Sequence, residues 1–182
     1  MRRTLLAVAL LAAGCTDRVV RDDRPSFRID LSRPFRLSLG RGSGWHGLDT
    51  VALNQEGRVI LHRSRYELKE QVNTQRWETT DIHLQPDQVG LVLKAVEEYG
   101  IMEMGREYHS DVRDGTQWVF LVEQGDRVKS IYFNNNFPGR ITRFARHLDE
   151  ILTRAGLDKA EWKQVPDHEA GNHAQALWDS IK

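Results

Sequence analysis

One cysteine, Cys15, stands in the whole chain, directly after its longest apolar run, residues 5–13. A disulfide takes two, so nothing downstream is stapled and any fold must be held by burial alone. The chain is long enough for that. At 182 residues it accommodates one domain burying roughly two-thirds of its unfolded surface, and a second full core is not expected. A content of 40% hydrophobic and 29% charged residues is that of a globular protein. The 26 basic and 26 acidic side chains leave no net charge to steer a nucleic acid, so no nucleic-acid partner is expected.

Arg2 and Arg3 precede the apolar run and Gly14-Cys15 follows it, the layout of a signal peptide over residues 1–14. As a helix the run reaches about 14 Å, under half of a hydrocarbon core of roughly 30 Å, so the segment is expected to be removed rather than kept as a span. Leu11-Ala12-Ala13-Gly14-Cys15 resembles the lipobox of bacterial lipoproteins, with Ala12 where leucine is usual. An ordinary secretory signal cut at the same bond is the alternative, because Ala12 and Gly14 are small. The resemblance implies cleavage before Cys15, lipid attachment at its thiol and stable membrane anchoring through two or more acyl chains. In such lipoproteins of double-membraned bacteria an Asp directly after the cysteine retains the protein at the inner membrane. Thr16 stands there, which points to the periplasmic face of the outer membrane.

Residues 15–25 carry six charges around two apolar side chains and read as a lipidated tether. A domain over 26–156 follows. Alternating apolar positions predict strands over 27–31, 35–39, 48–53, 58–64 and 77–83, with 40–47 a flexible glycine-rich loop and 65–76 a polar, solvent-facing loop. Pro86, Asp87 and the spacing of Val89, Leu93 and Val96 predict a helix ending at Gly100. A hairpin over 116–133 and a helix with Ile141, Phe144 and Leu148 on one stripe complete the domain. The remainder, 157–182, reads as a C-terminal tail with a short helix that docks through Trp178. The fold class expected is α+β: an antiparallel sheet with two helices packed on one face, plus that short helical tail.

Candidate chemistry is sparse. His168 and His173 are five residues apart, which turns one ring about 140° from the other on a helix, so they do not form a zinc pair. His109, Asp111 and Asp114 gather in one loop with Ser110 and could supply an acid and a base, but turn residues leading into a strand have the same composition. Asn134, Asn135 and Asn136 lead to Arg140 at a helix start, where an anion or a peptide carboxylate could bind. Trp45 and His46 sit on glycines, where an aromatic can insert into a partner's pocket or fold back on the core. With no glycine-rich phosphate loop, G-x-S-x-G elbow or C-x-x-C pair, no cofactor and no metal are expected.

The stretch Gly42-Ser43-Gly44-Trp45-His46-Gly47, the helix opening at Leu84-Gln85-Pro86 and the final hairpin and helix are similar to the emfourin-type inhibitors of thermolysin-like metalloproteases and to uncharacterised lipoprotein domains of like layout. The similarity covers residues 39–152. The inhibitor pattern lacks a counterpart of 65–76, so no inhibitory residue is transferred. The function expected is a lipid-anchored, non-enzymatic cell-envelope module that binds a protein or peptide, with Trp45, His46, His109, Asp111, Asp114 and Arg140 as candidate binding residues. Inhibition of thermolysin-like proteases is one alternative, and hydrolysis by His109, Asp111 and Asp114 is another.

Overall fold

The computed structural model describes residues 18–22, 26–43, 46–69, 72–112 and 115–182; the signal segment 1–14, Cys15, Trp45 and Asp114 lie outside them. In chain order the described residues form β1 (Arg18–Val20), β2 (Arg36–Ser43), β3 (Gly47–Asn54), β4 (Arg58–Lys69), β5 (Val72–His83), α1 (Pro86–Glu98), β6 (Glu107–His109), β7 (Gln117–Gln124), β8 (Arg127–Asn134), α2 (Gly139–Arg154), β9 (Lys163–Val165) and α3 (Asp167–Asp179). The strands make one sheet in the order β1-β6-β8-β7-β2-β3-β4-β5-β9.

Successive side chains of a strand point to opposite faces, and burial follows that period. Leu37 and Leu39, Val51 and Leu53, Phe120 and Val122, and Ile131 and Phe133 fill one face. Covering them are α1, through Val89, Val92 and Val96, and α2, through Ile141, Phe144, Leu148 and Ile151, each stripe recurring at three and four residues. A reciprocal capping box between Gln85 and Gln88, with proline in the first turn, fixes where α1 begins.

The chain is α+β, and two finer expectations are met only in part. The sheet is not wholly antiparallel, because β6 and β8 pair in parallel. Strands β6, β7 and β8 run up, down and up, and β8 rather than β7 lies beside β6, so those neighbours must run the same way. α1 and α2 share one face as expected, but the helix of the tail, α3, covers the other. The opposite face, with Leu48, Val119 and Leu121, is buried against Ala174 and Leu177 of α3.

Four local expectations are also corrected. Residues 27–31 are not a strand: the buried amide of Gln124 takes both the N–H and the carbonyl of Asp30, at 2.9 and 2.8 Å, replacing a ladder partner. Residues 65–69 and 72–76, expected within a loop over 65–76, are strand instead, since β4 and β5 stay in register to Lys69 and Val72. The segment expected to be a tether contributes β1, paired to β6, and Asp22, ion-paired to Lys129 at 2.9 Å. The glycines at 40 and 42 belong to β2 and serve close packing rather than flexibility. A Cβ on Gly40 would stand 2.7 Å from Leu177 Cδ1, and one on Gly42 would stand 2.0 Å from the Gly47 carbonyl oxygen.

Gly40 is therefore the seat of α3. Gly40→Ala is expected to cost about 1–2 kcal/mol by overpacking, seen as faster hydrogen exchange in α3 than in α2; unchanged exchange in α3 would contradict this.

Candidate binding surface

Two groups of the candidate side chains are built at the ends of strands. The first lies where β2 turns into β3. β3 pairs with β4 only from Val59 to His62, and β9 covers β5 only from Trp77 to Thr79. Beyond these contacts β4 and β5 run on alone as a two-stranded arm. Its ladder is reinforced across the strands by Arg76–Glu67 at 3.1 Å and Arg63–Glu78 at 2.8 Å, the cross-strand charge pairs that stabilise exposed ribbons. Arg63 also lies 3.6 Å over the ring of Trp162, which ties the arm's base to the segment after α2.

His46 braces the arm. Its ring meets the Tyr66 hydroxyl through Nδ1 and stands edge-on to the Tyr66 ring at 5.3 Å. Its carbonyl accepts from Gln75 Nε2 at 2.8 Å, and its N–H donates to Ser43 Oγ at 3.2 Å. Asp49 accepts the Ser64 N–H at 2.8 Å, closing β4 where β3 stops pairing. The β2–β3 turn is thus held on the arm by polar contacts, while Tyr66 remains 49% exposed.

The second group surrounds β6. His109 Nε2 bonds to Glu107 at 3.0 Å, so the carboxylate that meets the ring comes from its own strand face, two residues back. That hydrogen bond, helped by Arg106 and opposed by burial, holds Glu107 below the usual carboxylate range. Tyr132, edge-on to His109 at 5.4 Å, is raised by burial and by the Glu107 charge. The three asparagines are structural here. The Asn134 carbonyl accepts the Ser110 N–H at 2.9 Å, Asn135 Nδ2 donates to Val112 and Asn136 Nδ2 to the His109 carbonyl. Asn135 takes φ 54°, a left-handed conformation that asparagine tolerates, and Gly115 leaves room for its side chain.

The candidate residues are therefore not one constellation. Strands β8 and β7 separate β6 from β2, so His109 and His46 belong to different groups. Asp111 is exposed on the loop after β6, and Arg140 lies on the exposed first turn of α2 beside Gly100. Among the described residues, no cluster of three or more His, Cys, Asp or Glu could hold a metal ion, and no helix is long and apolar enough to cross a membrane.

Sequence reading missed three features. Glu107 is the partner of His109, a pairing legible from i, i+2 spacing once residues 107–109 are known to be a strand. His62 and His173 stack at 4.2 Å beneath α3; only the docking of α3 brings them together. A groove of about 410 Å³ separates Phe27, Ile29 and Leu31 from Leu93, Lys94 and Glu97 of α1.

No family model matches the chain, and no curated protein or solved structure matches it. Its function is read from its own residues.

Proposed function

We propose that this chain is a lipid-anchored protein of the cell envelope, acylated at Cys15 and held on the periplasmic face of the outer membrane. Its domain is a non-enzymatic module that binds a protein or peptide with the β2–β3 turn and the β4–β5 arm. The observation that carries the reading is the arm itself: a two-stranded ribbon beyond the cover of β3 and β9, with exposed Tyr66 braced by His46. Free strand edges capture extended peptides through main-chain hydrogen bonds, and exposed aromatics on a rigid support make binding anchors. Trp45, next to His46 in the sequence, is the second anchor of this reading. The engagement of His109 with Glu107 favours binding over a hydrolytic relay with Asp111 and Asp114.

A photo-cross-linking amino acid at Tyr66 of the full-length protein in living cells is expected to give a discrete adduct that the same group at Val128 does not. Trp45→Ala should weaken binding of the adduct's purified partner by about tenfold or more, as truncated hot spots do. Adducts of the same pattern from both positions, or none from Tyr66, would overturn the reading.

A further inference from the structure

The short leash between Cys15 and β1 sets which part of the domain meets the membrane. This inference rests on acylation of Cys15. Only Thr16 and Asp17 separate Cys15 from Arg18, so whatever path they take, the two Cα atoms lie within about 11 Å, three trans peptide steps. Arg18 is itself fixed. β1 pairs with β6 from Arg18 opposite His109 to Val20 opposite Glu107, and Arg106 N–H donates to the Val20 carbonyl at 2.8 Å. The buried Asp22–Lys129 pair then pins the chain just after the strand.

We propose that the end of the sheet where Arg18, His109 and Asn134 lie rests on the phospholipid headgroup layer, with β8 rising away from it. An acylated cysteine sits at headgroup level, and a leash of about 11 Å leaves no room for the opposite end to turn down. The surface near that end is mixed in charge, with Glu107 and exposed Asp111 beside three arginines, and the arginines are the groups that can meet lipid phosphates. Arg18, and Arg140 and Arg143 on the first turns of α2, form no ion pair among the described residues, and Val112, in the loop after β6, is 53% exposed. Juxtamembrane arginines each add attraction that decays within a Debye length of about 8 Å. Val128, near the start of β8, stands six residues from Asn134, or roughly 20 Å along the strand. The domain is thus oriented by its own first strand.

Because Cys15 is the sole cysteine and would be blocked by lipid, Val112→Cys or Val128→Cys gives one reactive thiol in the full-length protein. Each is labelled with a fluorophore, and the protein is reconstituted through its anchor into vesicles of phosphatidylethanolamine and phosphatidylglycerol containing headgroup-nitroxide lipid. The expected result is loss of fluorescence from position 112 with position 128 unquenched. A flexible twelve-residue insertion after Asp17, which spans about 19 Å on average, should abolish the difference. Vesicle-bound, acylated protein quenched equally at both positions, or more at 128, overturns the orientation and leaves the anchor standing. Protein that does not float with vesicles and carries no lipid by mass removes the anchor and the orientation together.

Discussion

Exchanging Lys129 for methionine lowers the stability of the domain by about 3–5 kcal/mol, the range for stripping one partner from a buried ion pair. The Lys129 and Asp22 side chains are only 6% and 5% exposed. The ammonium donates to Asp22 Oδ2 at 2.9 Å and to the Met104 carbonyl at 2.6 Å. Methionine replaces the aliphatic stem but takes the ammonium away from a carboxylate that is itself only 5% exposed. For a domain of this size each kcal/mol shifts the midpoint by about 2–4 °C, so Tm falls by roughly 6–20 °C. Asp22→Asn in the Lys129→Met background removes the buried charge and recovers part of the loss. The same change frees the chain around β1, and trypsin then cuts at Arg18 or Arg21 before the rest of the domain unfolds. A Lys129→Met protein within about 1 kcal/mol of wild type, a loss too small for one partner of a buried ion pair, would show that the pair does not hold the N-terminal segment.

Mild acid undocks α3. His62 is 3% exposed and stacks on His173; burial, then the neighbouring His173, lower its pKa to about 4 from 6.5. His173 is lowered too, by burial and by Arg36, with Glu169 acting the other way. Thr50 Oγ1 reaches His62 Nδ1 only at 3.4 Å, and Arg36 and Glu123 line the small cavity beside His173. A base with a depressed folded pKa is held neutral by the fold, so its contribution is fully present above pH 6.5 and is lost as pH falls toward 4. For His62 the loss is about 3 kcal/mol in all, with about 2 kcal/mol gone by pH 5. Urea titrations from pH 7 to pH 4, read with hydrogen exchange in α3, should show this slope. It should flatten in His62→Gln, and an identical slope in that variant would assign the acid sensitivity elsewhere.

Elements that carry their own local signal were legible in the sequence. The stripe of α2, the proline at the start of α1 and the β7–β8 hairpin all state their period within a dozen residues. What the sequence hid was decided by distant partners. Residues 27–31 alternate like a strand, but Gln124 satisfies the backbone of Asp30 in a ladder's place. Residues 65–76 are too polar to look like a sheet, because an arm free of both neighbours has no face to bury. β1 and β6 are three residues each, too short for any period; β1 exists because β6 pairs with it, and β6 because β8 and β1 do. Gly40 reads as a loop residue until Leu177 is seen packed on it. The candidate residues were legible as types, while the two groups into which they fall were not.

The anchor is decided by the intact mass of the protein purified from a bacterium, wild type beside Cys15→Ser. The expected result is a mature N-terminus at a lipid-modified Cys15, with the modification absent from the variant. An unmodified Cys15, or a chain that still carries residues 1–14, would contradict the anchor and the membrane-facing orientation drawn from it.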